Sequence, residues 1–177
     1  MALNWLYADL MPTPDFILDL RRRIGTELLW LSGVTGVVLD EGGQVLLGRR
    51  SDNGLWALPS GILEPGEEPA MGLLREITEE TAIIAEALAL THVSVGPPTS
   101  YPNGDRTQFL DLTFWCRPLS GEAQVADEES TEVGWFALGD LPAPLAPSSA
   151  ERLAATLRYR HDPGAGASFA GRAETGD

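Results

Sequence analysis

Cysteine is nearly absent from this sequence: Cys116 stands alone among 177 residues. A single thiol excludes an internal disulfide and points to a reducing compartment, so a cytoplasmic location is expected. Histidine is scarce too. His92 falls in a strand pattern and His161 near the C-terminus, and neither forms a recognisable motif with Cys116. Basic residues are few, 12 Lys and Arg against 26 Asp and Glu, for a net charge of −14. That balance argues against binding nucleic acid or an anionic membrane through a basic surface. It does not argue against a nucleotide substrate, whose phosphates a metal ion neutralises locally. No run of 18 apolar residues exists, so no membrane-spanning helix is expected. The start, MALNWLYADLMPTPDF, lacks a basic segment and is interrupted by Asp9, so no signal peptide is expected.

What is present suits one globular domain: 44% of the residues are apolar, in a length that supports a single core. The chain is organised around residues 61–83, GILEPGEEPAMGLLREITEETAI. From Pro69 onward, Ala70, Leu73, Leu74 and Ile77 recur at helical spacing and share an arc with Thr81. Glu76, Glu79 and Glu80 fall on another arc, because positions three and four apart are neighbours on a helix. Three like charges so close repel one another unless a cation sits between them, and hard divalent cations take carboxylate oxygens together with substrate phosphates. Upstream, Pro59-Ser60-Gly61 and Glu64-Pro65-Gly66 are turn signals that make a tight loop into the helix. Glu67 and Glu68 lie near the helix start, where negative charge is favoured. Glu64 and Asp52 add two more carboxylates, Asp52 joining the group in space rather than in sequence.

Gly61, Glu67 and Arg75-Glu76-Ile77-Thr78-Glu79-Glu80, with the gaps between them, resemble the signature of the Nudix hydrolases, G-x5-E-x7-R-E-U-x-E-E-x-G-U, where U is apolar. Ile77 and Ile83 take the apolar positions. Ala82 departs from the pattern: it stands where the motif has a second glycine that ends the helix in a left-handed conformation. Either that geometry is kept, at a cost of roughly 1 kcal/mol, or the helix runs on. The resemblance covers roughly residues 33–160. It implies an α/β (α+β) fold, a Nudix-like α/β/α sandwich with a mixed sheet, and hydrolysis of a nucleoside diphosphate linked to another group. By the same resemblance, Glu76, Glu79 and Glu80 match the metal-binding glutamates and the Ser60 carbonyl a backbone ligand. The ion implied is Mg²⁺, with Mn²⁺ as the alternative. Arg75 matches the arginine that orients neighbouring glutamates, and Glu67 the glutamate that supports loop and helix. The general base is either a glutamate of the box or an acid of the later loop Asp127-Glu128-Glu129, where Glu129 matches best. The substrate reading leans to ADP-ribose or a nucleotide sugar, with a normal or oxidised nucleoside triphosphate as the alternative. A catalytically idle nucleotide-binding domain is the competing class, disfavoured because every box glutamate is kept.

The rest of the chain frames this box. Residues 1–32 are expected as an N-terminal extension that resembles the dimerising segments of ADP-ribose-type members. It contains a helix over residues 15–24 capped by Asp15, whose Arg21, Arg22 and Arg23 form the one basic cluster. Strands are expected at 28–31, 34–39, 44–48, 56–59, 85–95, 107–117 and 132–137, with Asp40-Glu41-Gly42-Gly43 as a hairpin turn. A final helix over 148–160 is expected to be capped by Ser148 or Ser149. Cys116 is read as core. Tyr101, Phe109 and Trp115 could stack on a base, though strand aromatics are usually core. The Gly/Ala-rich tail over residues 161–177 is expected to be disordered.

Overall fold

The computed structural model describes residues 13–170. Helix α1 spans Asp15–Ile24, α2 Pro69–Thr81 and α3 Pro147–His161. The strands are β1 (Leu28–Val38), β2 (Gln44–Arg50), β3 (Trp56–Ala57), β4 (Ser60–Ile62), β5 (Ile84–Val95), β6 (Thr99–Ser100), β7 (Arg106–Ser120), β8 (Ser130–Ala137) and β9 (Ser168–Phe169). They form a mixed sheet in the order β4-β1-β7-β5-β9, with β6 against β7, and a smaller sheet β3-β2-β8. This is the mixed α/β sandwich the sequence implies. No helix among the described residues is long and apolar enough to cross a membrane.

Strand alternation explains the layers. On one face of β1, Val34 and Val38 pack with Leu73 and Ile77 of α2 and with Cys116. On the other, Leu29 and Leu31 pack with Ile17 of α1, and Val37 and Leu39 with Leu153 of α3. Each strand residue therefore meets a helix on its own side, as period-2 geometry requires. Cys116 is fully buried, and its thiol is pushed up to about 12 by burial, which makes it core and not a nucleophile.

Several local expectations need correction. Residues 28–38 are one strand, because β1 runs parallel to β7 without a break from Leu28↔Arg106 to Val38↔Cys116. The turn after β1 forms as read, with the Gln44 amide donating to Asp40 Oδ1 at 2.7 Å. Its two strands pair only at Leu39↔Val45 and then diverge into different sheets. Asp15 does not cap α1: Pro14 holds the cap position, and no side-chain cap bond forms. Nor does a serine cap α3, where Ala146 takes that place. The Ser149 hydroxyl instead accepts the Leu58 amide at 3.1 Å and ties α3 to the loop before the box. The tail is ordered further than its composition implies, since Ser168–Phe169 pair in parallel with His92 and Val93. The His92 Nδ1 lies 2.8 Å from the Ser168 hydroxyl, so His92 is engaged structurally. Arg21 is likewise structural, with hydrogen bonds to the carbonyls of Gly25, Glu27 and Arg106. The dimerising role expected for residues 1–32 rests partly on residues 1–12, which lie outside the described residues.

Candidate active site

Helix α2 starts at Pro69, whose missing amide costs nothing at a helix N-terminus. It ends at Ala82, with φ 57° and ψ 14°, the one non-glycine residue with positive φ among the described residues. The left-handed stop of the signature is thus kept without glycine, and the Ala82 amide closes the last turn on the Thr78 carbonyl at 3.0 Å.

The three helix glutamates are not equivalent, although they are neighbours in sequence. Glu79 is exposed and bonded to Arg75 at 2.9 Å. Glu76 is mostly buried, 3.0 Å from the same guanidinium. Its carboxylate lies over Gly61, where an added Cβ would come within 2.1 Å of Glu76 Oε1. That contact is the physical reason for glycine at this box position. Glu80 turns inward and is buried, where it accepts the Ser60 amide at 3.1 Å. Arg75 also holds Glu67 through two hydrogen bonds, at 2.9 and 3.2 Å, and Glu67 accepts the Glu64 amide at 3.0 Å. The arginine therefore ties the loop to the helix and orients two glutamates. Its bonds hold the Glu67 carboxyl below the usual range, while the Arg75 pKa rises.

Glu129 comes to the site from the loop between β7 and β8. That loop is fastened to the end of α2 by Gln124 and Ala126 amides donating to the Thr81 and Glu80 carbonyls, at 3.2 and 3.3 Å. Asp127 Oδ1 accepts the Glu129 amide at 2.9 Å, and the Ser51 amide donates to the Glu129 carbonyl at 2.8 Å. Ser60, Glu80, Glu129, Arg50, Asp52 and Ser130 then line one small cleft of about 30 Å³. Burial pushes Glu129 up to about 7, with Asp127 adding to it and Arg50 opposing. Burial likewise raises Glu76 to about 7 against the pull of Arg75. Glu80 is raised well above its ordinary value, first by burial and then by the charge of Glu129.

Among the described residues, no three His, Cys, Asp or Glu side chains are already drawn into a metal-binding cluster. Glu76 and Glu79 point at Arg75 and Glu80 at the Ser60 amide. The donor set nonetheless fits a divalent cation, because Glu80 and Glu129 line one cleft and the cation that lines it with them, Arg50, is already bidentate to Asp52 at 2.9 and 2.7 Å. Arg50 was not singled out from sequence. Its signal was its place at the end of β2, just before the loop that enters the box. Tyr101, Phe109 and Trp115 lie elsewhere: Phe109 packs by α1, Trp115 by α3 beneath Arg160, and Tyr101 sits on the β6–β7 turn.

The NUDIX domain model matches residues 30–156. This chain belongs to the Nudix hydrolase family. It is a Nudix pyrophosphohydrolase in type, and its relatives agree. A MutT-like protein of Streptomyces ambofaciens is 41% identical over 120 residues, covering 68% of this chain and 72% of that one. An 8-oxo-dGDP phosphatase of Mus musculus is 31% identical over 63% of this chain, which spans only 34% of that protein. A solved ADP-ribose pyrophosphatase of Streptococcus suis superposes with a TM-score of 0.58 at 26% identity, over 73% of this chain and 91% of that one.

Proposed function

We propose that this protein hydrolyses the diphosphate linkage of a nucleoside diphosphate derivative at the cleft between α2 and the Glu129 loop, with a bound divalent cation. The observation that carries the reading is the convergence of Glu80, Ser60 and Glu129 on one cleft beside the Arg75-braced Glu76. Glu76, Glu79, Glu80 and the Ser60 carbonyl would hold the ion, Mg²⁺ or Mn²⁺, which supplies charge neutralisation on the diphosphate and an acidified water. Glu129, with a carboxyl titrating about 7, suits the general base, since a base works best when poised near ambient pH. Arg75 acts through the glutamates it orients, and Gly61 and Glu67 shape the loop they sit on. Arg50 lies where it can meet a phosphate oxygen once Asp52 releases it.

The substrate reading favours ADP-ribose or a nucleotide sugar, with a normal or oxidised nucleoside triphosphate second, and the relatives' names divide along the same line. A cytoplasmic homodimer without nucleic-acid or membrane partners is part of the proposal. The experiment is a phosphatase-coupled phosphate-release assay across ADP-ribose, nucleotide sugars, dinucleoside polyphosphates and normal or oxidised triphosphates, in Mg²⁺, Mn²⁺ and EDTA. Turnover of one class that EDTA abolishes is the expected result. Tight nucleotide binding with no turnover of any substrate would replace the enzyme by a nucleotide-binding regulator.

A further inference from the structure

The acid cleft shares Arg50, Ala57, Leu58 and Ser60 with a second cavity of about 280 Å³. The far wall of that cavity is the first turn of α3, from Ala146 to Ser149, with Arg152 behind it. Arg152 is four-fifths buried, its side chain 19% exposed. Its Nε lies 3.1 Å from Asp111 Oδ1. Asp111 is itself buried in the middle of β7, between Gly33 of β1 and Ser94 of β5. Two threonines fix its carboxylate, with the Thr35 hydroxyl donating to Oδ2 at 2.8 Å and the Thr113 hydroxyl to Oδ1 at 3.0 Å.

Asp111 is the one partner found for the Arg152 guanidinium among the described residues. A guanidinium is a planar fork of five donors with no acceptor. Held at its Nε by an immobile carboxylate, it has donors left over beside the cavity it lines. The neighbouring acceptors are engaged elsewhere: the Asp52 carboxylate accepts from Arg50, and the Ser149 hydroxyl accepts the Leu58 amide. The Asp111–Arg152 pair is neutral as a whole, so it attracts a neutral group with acceptors side by side more than a bare anion. Guanine offers such an edge, O6 beside N7. Adenine sets its N6 amino donor beside N7, so donor would face donor.

We propose that Arg152, positioned by Asp111, is a specificity-determining residue that takes the paired-acceptor edge of a guanine-type base and makes guanine nucleotides preferred over adenine nucleotides. The inference rests on the proposed nucleotide hydrolysis only for the placing of a nucleotide beside the cleft. It narrows the substrate class toward guanine-containing sugars or triphosphates and away from ADP-ribose.

Two readouts test it separately from the chemistry. Calorimetric binding of GMP, AMP and ribose 5-phosphate to the full chain is expected to show GMP bound at least tenfold more tightly than AMP, on the order of one well-placed bidentate pair. In Arg152→Gln and in Arg152→Lys, which keeps the charge but loses the fork, the ratio is expected to fall to about two or less. Turnover of GDP-glucose and ADP-glucose, which differ only in the base, is expected to show the same preference, carried mainly by KM. Equal binding of GMP and AMP by the wild-type chain overturns the proposal without any variant. A ratio that survives Arg152→Gln overturns it as well. Ribose 5-phosphate binding as tightly as GMP, and weakened equally by Arg152→Gln, would make the site an anion site instead. Guanine-selective binding with no turnover of any substrate would sustain this inference while the hydrolytic reading fails.

Discussion

Glu80 and Asp111 are both buried carboxylates, yet they sit in opposite environments. Asp111 has two hydroxyl donors and an arginine. Glu80 has one backbone amide and is surrounded by Glu76, Glu129 and Asp127, all of its own sign. A buried charge is costly unless it is paired and hydrogen-bonded. The fold meets that condition for Asp111 and leaves it unmet for Glu80. A satisfied acid holds another side chain in place. An unsatisfied one keeps an electrostatic deficit that a proton or a cation from solution fills. In the proposed site, the contrast separates a positioning half from a reacting half.

The largest effect that sharpens this contrast is on catalysis. Glu80→Gln is expected to lower kcat/KM at least 10³-fold, about 4 kcal/mol of transition-state stabilisation, while the circular dichroism spectrum stays native. Retained turnover would remove Glu80 from the reacting group. Next in size is the partnered acid. Asp111→Ala leaves Arg152 buried and unpaired and removes an acceptor from two threonines, so thermal melts should show a loss of about 3 kcal/mol. A change near zero would mean that Asp111 positions nothing.

A smaller effect follows from proton linkage. Glu76 and Glu129 are raised to about 7 in the folded protein, above ordinary carboxyl values. Their protonated forms are therefore favoured by folding. The stability they contribute is fully present below the unfolded carboxyl pKa and is lost as pH rises through about 7. Without metal, raising the pH from 5 to 8 is expected to destabilise the protein by about 1–2 kcal/mol, after discounting for their partial exposure. Urea titrations in EDTA at the two pH values measure this, and a gain over that interval would reverse the assignment. The smallest effect lies at the helix stop. Ala82→Gly relieves a left-handed alanine and is expected to stabilise the protein by about 0.5–1 kcal/mol. A clear loss of stability in the melt would show that the left-handed stop carries no strain.

How much of this the sequence reveals depends on how local each feature is. The box is local: the spacing from Gly61 to Ile83 places loop, helix and glutamates, and the Gly61–Glu76 contact explains one of its fixed residues. The inequality of Glu79 and Glu80 is not local. Both lie off the apolar arc, and only the approach of Ser60 and the Glu129 loop to one side of the helix buries Glu80. The divergence of β1 and β2 into two sheets follows from which partners β7 and β8 claim, which no hairpin signal encodes. The Asp111–Arg152 pair joins residues that no motif links. Its signal was present nonetheless: Asp111 shares strand parity with Phe109, Thr113 and Trp115, so an acid stood on a face that should be apolar. In the described part of the tail, composition did not reveal that Ser168 and Phe169 pair with the edge of β5.

The most direct test of an acid group held short of cations is the thermal unfolding of the wild-type protein and Glu80→Gln, each in EDTA and in Mg²⁺. In EDTA the variant is expected to melt above the wild type, because an acid buried among like charges is removed, and Mg²⁺ is expected to raise the wild type while moving the variant little. A variant that melts below the wild type in EDTA, with Mg²⁺ stabilising both alike, would contradict this expectation.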